Sequence, residues 1–269
     1  MQTSFWTGAV GAQAFNNKLA VTANNLANIN TTGYKPKDAV FTELINYNLN
    51  HVDDTPEAQA GDSAAVSHTN TNFNQSAFAM TGIATDYAIG TDNAFFMLRD
   101  PGTNEISFTR NGHFHSAQMP DGKYFLMTEA GKYVLDQNQQ PIEGNIEDIK
   151  KLNADFARMM SGEEQEQEPE EPAAEDDVEK PFVAAYTMAH PSRMYSKGDN
   201  EYYVRPGDTE NTPRLMRDAQ VKSGVLEDSG TDLAKEMTRI IESQRAFSYA
   251  LKMVTTSDEI ETTINGLRS

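Results

Sequence analysis

The chain contains no cysteine, which excludes disulfide bonds, thiolate metal sites and cysteine nucleophiles. It has no run that approaches the roughly 18 apolar residues needed to span a bilayer, and apolar residues make up only 38% of its length. Its first residues, MQTSFWTGAVGAQAF, have neither a basic leader nor a continuous apolar core. We therefore expect no cleavable secretion signal and no membrane insertion.

Basic residues are also scarce. The chain has 22 Lys and Arg against 40 Asp and Glu, for a net charge of -18, which argues against a nucleic-acid binder because phosphate contacts need clustered cations. Half of this charge lies in residues 161–180, which hold ten acids and one lysine. Such a segment repels itself and cannot bury apolar surface, so we expect an acidic disordered insert.

Both ends of the chain carry a narrow apolar stripe at helical spacing. Alternating steps of three and four recur near the start, at Phe5, Gly8, Ala12, Phe15, Leu19, Thr22, Leu26 and Ile29. The same steps recur near the end, at Leu233, Met237, Ile240, Gln244, Phe247, Leu251 and Val254, and the stripe resumes at Ile260, Ile264 and Leu267. This spacing is typical of a coiled-coil seam. It predicts helices at about 3–31 and 232–266 that pack against each other.

The helix boundaries have recognisable signals. Asp232 is a plausible N-cap of the last helix. Gly33 can supply the left-handed geometry that ends the first helix, and Pro36 prevents its resumption. The stretch ANNLANINTTGYK, residues 23–35, is rich in asparagine, a mediocre helix former. Such a helix end either frays or uses its amides for hydrogen bonds to a partner.

The middle of the chain has a different pattern. Residues 76–216 show short apolar or alternating runs separated by Pro-Gly, Asn-Gly and Asp-Gly turns, which is typical of an antiparallel β domain. Residues 46–75 are polar and predict a linker or loop. The predicted fold class is α+β, with paired terminal helices formed by residues 1–45 and 217–269 and a β domain inserted between them.

Three long stretches resemble one known family. They are VTANNLANINTTGYKPKDAVFTEL near the start, AIGTDNAFFMLRDPGTNEISFTRNGHF in the middle, and VKSGVLEDSGTDLAKEMTRIIESQRAFSYALKMVTTSDEIETTINGL near the end. In this order they resemble the bacterial flagellar rod and hook family, most closely its proximal and distal rod proteins. Two departures are the acidic insert and Ser229-Gly230-Thr231-Asp232, where the family commonly has Ser-Asn-Val-Asp.

The resemblance implies a structural subunit of the flagellar basal body, with no enzymatic activity and no cofactor. Its terminal helices are expected to self-assemble into a tubular axial structure, with the β domain outermost. The implied partners are copies of the chain, other rod and hook axial proteins, and the type III export apparatus that exports the chain without a cleaved signal. We expect the assembly interface at Asn24, Asn25, Leu26, Asn28, Gly33, Tyr34, Leu233, Met237, Ile240, Gln244, Arg245 and Phe247.

Other functions need different signals. His113 and His115 flank Phe114 and could be metal ligands on one strand face, although a third ligand has no recognisable spacing. Possible catalytic carboxylates are Asp121, Glu129 and Asp136, but no pattern brings two of them together. The main alternative is a soluble coiled-coil dimer whose β domain is a binding module, with a contact patch at Tyr195, Tyr202 and Tyr203.

Overall fold

The computed structural model describes residues 2–44, 46–48, 59–61, 63–145, 147–151, 153–154 and 182–268. The predicted acidic insert, 161–180, lies outside the described residues. The chain divides into two compact units. The helical unit comprises residues 1–29, 36–72 and 231–269, and the β unit comprises residues 30–35 and 73–230.

Two long helices and many short strands make up the described chain. The long helices are α1, Gln2–Ala27, and α2, Leu233–Arg268. Residues 147–151 are also helical, and a 3₁₀ turn lies at Pro191–Arg193. The strands are Lys37–Glu43 (β1), Asn46–Asn48 (β2), Gln59–Gly61 (β3), Ala64–Thr71 (β4), Phe78–Met80 (β5), Tyr87–Ile89 (β6), Ala94–Arg99 (β7), Ile106–Thr109 (β8), His115–Gln118 (β9), Tyr124–Met127 (β10), Tyr133–Val134 (β11), Ala185–Thr187 (β12), Tyr195–Gly198 (β13), Glu201–Tyr203 (β14), Arg214–Leu215 (β15), Val221–Ser223 (β16) and Val225–Glu227 (β17).

In the helical unit, α1 and α2 lie side by side and antiparallel. The hydroxyls of Ser4 and Ser257 are 3.1 Å apart near one end of the pair. Near the other end, the Asn25 side chain donates to Glu236 over 3.3 Å. The helices approach closely at Gly8, where an added Cβ would come within 3.0 Å of Val254 Cγ2. Helices are therefore present at both ends of the chain, as predicted, and they lie together within one unit.

A pair of antiparallel strands, β1 and β4, packs on α1 within the same unit. The ring of Phe41 on β1 lies 5.8 Å from that of Phe15 on α1. Residues 64–71 were predicted as part of a polar linker and are instead a strand. The sequence conceals it because most of the side chains of β4 are exposed or half-buried, so no alternation of apolar and polar residues marks it.

The helix ends follow local hydrogen bonding. Asp232 Oδ1 accepts the backbone N–H groups of Ala234 and Lys235, so the predicted N-cap is confirmed. Helix α1 ends at Ala27, four residues before the predicted end. Its last turn is closed by Asn28, whose side-chain amide donates to the Asn24 carbonyl over 2.8 Å. Short polar side chains compete in this way for backbone groups and end helices.

The β unit is built on an antiparallel sheet with the strand order β13-β14-β8-β7-β11-β10-β9. Strand β12 pairs with both β7 and β15. Strand β7 lies at the centre and is buried on both faces, as its continuous apolar sequence AFFMLR indicates. Phe96 and Leu98 point into one core cluster, whereas Phe95 and Met97 point into another. The predicted antiparallel β region is confirmed.

A buried ion triad lies in the β unit, formed by Lys35, Arg110 and Glu227. The Glu227 carboxylate accepts Lys35 Nζ at 2.7 Å, and Arg110 at 2.8 and 3.2 Å. Each of these side chains is at most 1% exposed. Arg110 also donates to the carbonyls of Ile89, Thr91 and Ala94, so all five of its N–H donors are bonded. A buried charge is tolerated only when its hydrogen-bonding groups have partners in this way.

The same triad sits where the chain enters and leaves the β unit. The Gly33 N–H donates to the Glu227 carbonyl over 2.7 Å, and the Gly230 N–H donates to the Tyr34 carbonyl over 2.9 Å. Gly33 has a φ of 64°, and a Cβ there would meet the Arg110 backbone at 2.5 Å. Residues 33–35 and 227–230 therefore lie side by side, and their contact joins the first and last segments of the β unit.

The triad predicts an unusual pH dependence. Burial, followed by the charge of Arg110, lowers the pKa of Lys35 from 10.5 to about 8, against the opposing effect of Glu227. Between these two values the unfolded chain binds a proton that the folded chain has lost, so the free energy of unfolding rises with pH by up to about 3 kcal/mol. Urea unfolding of the β unit between pH 7.5 and 9.5 should show about 2 kcal/mol of this rise.

The matched variants for this measurement are Lys35→Met and Lys123→Met. The first removes the buried ammonium and should flatten the pH dependence. The second removes a lysine whose side chain is 56% exposed and should leave it unchanged. An unaltered slope in Lys35→Met would contradict this account of the triad.

The helix contact predicts different effects of alanine at two glycines of α1. At Gly11, the nearest atom to an added Cβ is Ala250 Cβ at 4.0 Å, so Gly11→Ala should stabilise the helix by about 0.5–1 kcal/mol. At Gly8, the added Cβ lies 3.0 Å from Val254 Cγ2 and 3.2 Å from the Ala250 carbonyl oxygen, which offsets that gain. Thermal unfolding followed by helical circular dichroism should rank Gly11→Ala above Gly8→Ala, and the reverse order would refute the close contact.

Candidate assembly site

The two paired helices contain most of the residues predicted for the assembly interface. The side of α2 that faces α1 is its less exposed side, and its residues recur at alternating steps of four and three. These residues, called the seam below, are Glu236, Ile240, Ser243, Phe247, Ala250, Val254 and Ser257. Much of this seam is small or polar, which allows the close approach of the helices.

The predicted stripe on α2 is partly wrong. Ile240, Phe247 and Val254 lie in the seam as expected. Leu233 and Met237, however, are 49% and 52% exposed. Leu251 and Gln244 are exposed as well. Apolar residues occupy both the seam and the adjacent exposed side of α2. The predicted stripe, which was based on their spacing alone, therefore mixes residues of both sides.

Asn25 answers the question raised by the asparagine-rich end of α1. It is 1% exposed. Its side-chain oxygen accepts the Lys37 N–H over 2.9 Å, and its amide donates to the Lys37 carbonyl over 2.8 Å and to Glu236 over 3.3 Å. The Asn25 amide is therefore used within the chain, on the backbone of β1 and on the Glu236 side chain of α2.

Glu236 extends this cluster along α2. Its other carboxylate oxygen accepts Arg239 Nη1 at 2.8 Å, and the same nitrogen donates to Asp38 on β1 over 2.5 Å. Glu236 is 2% exposed, so its charge needs these partners. The polar cluster of Asn25, Lys37, Asp38, Glu236 and Arg239 thus joins α1, β1 and α2.

The remaining predicted interface residues have different environments. Gly33 and Tyr34 are buried in the β unit beside the ion triad. Leu26 and Asn28 are half-buried in the helical unit, while Asn24 and Arg245 are exposed there. The residues that remain accessible for contact with another molecule are therefore concentrated on the outer sides of α1 and α2.

Several structurally important charges were not singled out from the sequence. They are Lys35, Arg110, Glu227, Glu236 and Arg239. Each lies within a short motif of the quoted stretches, in GYKP, TRNGHF, VLED or EMTR. A charged residue between apolar or turn residues could have indicated a buried charge. The sequence does not show which of these charges form pairs.

Two of the residues considered as metal ligands or catalytic carboxylates, His113 and Asp136, have other contacts in the structure. His113 Nδ1 lies 2.9 Å from the buried Asp86 carboxylate, and no group of three or more metal-ligating side chains occurs among the described residues. Asp136 accepts the backbone N–H groups of Asn138 and Gln140, which is a turn role.

Two of the three tyrosines of the predicted contact patch are buried. Tyr202 and Tyr203 are only 3% and 6% exposed, so they cannot form the contact patch of the alternative binding module. Within the part of the chain that the structure describes, neither helix has the apolar length required to cross a bilayer.

Models of known protein families match both ends of the chain. A family model described as "Flagella basal body rod protein" matches residues 6–35, which include most of α1 and the loop that carries Lys35. A second, described as "Flagellar basal body rod FlgEFG protein C-terminal", matches residues 222–267, which include Glu227 and nearly all of α2. Both matches cover segments that the structure brings together within a unit.

Similar proteins align over nearly the full length. The flagellar basal-body rod protein FlgG of Bacillus subtilis (strain 168) is 28% identical over 273 residues, covering 97% of each chain. FlgG of Borreliella burgdorferi is 27% identical over 287 residues, covering 100% of this chain and 99% of that protein. FlgF of Caulobacter vibrioides is 25% identical over 260 residues, covering 97% and 95%. These matches, at both ends of the chain and over nearly its full length, support a protein of the flagellar basal-body rod and hook family.

Proposed function

We propose that the chain is a structural subunit of the flagellar basal-body rod, and that it self-assembles through its paired terminal helices into the tubular axial structure. The observation that supports this most is the pairing of α1 with α2, the two segments that the rod family models match. The family is one of structural rod proteins rather than enzymes, in keeping with this role.

The helical unit has the properties of an assembling element. Its helices bury a thin seam and leave large apolar side chains exposed, including Trp6 at 61% and Met237 at 52%. Helices with so little buried surface gain most of their stability from further packing. We propose that copies of this chain and other rod and hook axial proteins supply it, in a coiled-coil-like inner layer.

Export and location follow from the same proposal. The chain leaves the cytoplasm through the flagellar export apparatus without a cleaved signal and resides in the basal body. Hook-basal bodies purified from the source cells should contain this chain together with other axial proteins by mass spectrometry. Its absence from them would refute the rod assignment.

The soluble dimer remains the competing function, because a helical seam is also found in simple dimers. A closed dimer keeps one mass as its concentration rises, whereas a heterologous interface gives open assemblies that grow. Light scattering of the purified chain across a wide concentration range distinguishes the two. A constant dimeric mass would favour the binding module.

Charges introduced at the helix pair should prevent incorporation. Ile240 lies in the seam and Leu26 is half-buried on α1, so Leu26→Asp or Ile240→Asp places a carboxylate where its desolvation is costly. We expect loss of the chain from purified basal bodies and loss of motility, with the urea unfolding of the β unit unchanged. The control is Glu242→Asp on the exposed side of α2, which should assemble normally. Normal rods in either Asp variant would count against the proposal.

A further inference from the structure

Helix α2 carries a continuous exposed surface without a charged side chain. Its members are exposed and recur at steps of three or four along one side of the helix, next to the seam. These residues, called the α2 stripe, are Leu233, Met237, Ile241, Gln244, Ser248, Leu251 and Thr255. The apolar members are between 44% and 52% exposed. The exposed surface of a soluble helix normally carries charged and polar side chains, so an exposed stripe that is uncharged and more than half apolar is unusual.

The exposed charges of α2 lie on a separate side over the same length. Lys235, Glu242, Arg245 and Lys252 are all exposed and are here called the charged flank. At helical spacing Lys235 and Glu242 fall away from both the seam and the α2 stripe, whereas Arg245 and Lys252 border the stripe. The helix therefore has three sides, one packed on α1, one charged, and one apolar or neutral without a partner among the described residues.

Helix α1 has a second uncharged exposed surface. Its exposed residues, called the α1 outer face, are Phe5, Trp6, Gln13, Asn16, Asn17, Ala20, Ala23, Asn24 and Ala27. The charged side chain of the helix, Lys18, is half-buried and lies 5.7 Å from the centre of the Phe41 ring. In a chain in which 23% of residues are charged, this face is exceptional. Depletion of charge is characteristic of the core of a protein interface.

We propose that the α2 stripe of one copy docks on the α1 outer face of a second copy. This inference rests on the proposed rod function and names the contact through which adjacent copies assemble. The two surfaces match in length, since each spans 22 residue steps of helix, or about 33 Å at about 1.5 Å per residue. They also match in chemistry, because neither surface carries a charge. The small side chain of Ala20 leaves room for Ile241 of the stripe, and amides and hydroxyls of the stripe meet amides of the α1 outer face.

The geometry favours this contact over one between two α2 stripes. A stripe paired with itself is isologous and closes at a dimer, whereas a stripe paired with a different face is heterologous and can continue around a tube. Copies related by rotation about an axis parallel to the helices place α2 of one copy antiparallel to α1 of the next. That is the same relation that α1 and α2 have within one chain.

The register within one chain gives specific neighbours for the contact between copies. Ser4 lies opposite Ser257, and Asn25 lies opposite Glu236. When two copies sit at the same height, this register places Ala20 opposite Ile241, Asn17 opposite Gln244, and Gln13 opposite Ser248. Each of these pairs joins one residue of the α1 outer face with one of the α2 stripe.

The absence of cysteine makes disulfide mapping of this contact clean. Double-cysteine chains combine Ala20→Cys or Ala23→Cys on the α1 outer face with Met237→Cys, Ile241→Cys or Ser248→Cys on the α2 stripe. Control chains combine the same α1 substitutions with Glu242→Cys or Lys235→Cys on the charged flank. Each is expressed in place of the natural chain, and purified basal bodies are oxidised and analysed on non-reducing gels.

We expect at least one combination with the stripe to give a ladder of multimers of this chain, several-fold stronger than any control combination. Ser248→Cys and Ala20→Cys replace small side chains with a small side chain, so we expect chains with these two substitutions to assemble and to keep the test readable. Ladders only from the charged flank, adducts only with a protein of another mass, or no link from either surface in rods that contain the chain would each overturn the inference. Absence of the natural chain from the basal body would instead refute the proposed function.

Discussion

The hydrogen bond between Asn25 and Glu236 joins residues that are 211 positions apart in the sequence. Closing so long a loop costs conformational entropy, although the cost grows only slowly with length. A buried polar cluster offsets this cost. In it, the Asn25 side chain also bonds to both the N–H and the carbonyl of Lys37, and Arg239 links Glu236 to Asp38. The paired helices, and the surfaces that they present to other molecules, depend on this connection.

The β unit solves a related problem by itself. An inserted unit has two chain crossings that must be held together, and here the triad of Lys35, Arg110 and Glu227 holds them. Backbone hydrogen bonds between residues 33–34 and residues 227 and 230 reinforce it. The triad lies wholly within the β unit, so its ion pairs need no residue of the terminal helices.

The sequence predicted the elements better than their contacts. The helix lengths, the Asp232 cap and the antiparallel strands follow from local spacing and turn residues, which act within a few positions. The phase of α2 was misjudged because Leu233 and Met237 are as apolar as the seam residues Ile240 and Phe247. A surface that is buried only on assembly has the composition of a core, so hydrophobic spacing cannot separate the two.

The buried charges could not be predicted for a different reason. Glu227 and Arg110 lie 117 positions apart, and nothing local marks them as partners. The strand β4 was missed because a two-stranded sheet with mostly polar side chains resembles a loop. The resemblance to the rod family covered the segments that contain these residues without assigning a role to any of them.

The central claim is that the outer sides of α1 and α2 become covered when the chain assembles. Hydrogen–deuterium exchange of the purified chain and of intact rods tests it most directly. The account predicts that peptides from residues 5–27 and 233–255 exchange rapidly in the free chain and slowly in the rod, while the β7 and β8 peptides are protected in both. Equal protection of the helices in the two states would contradict it.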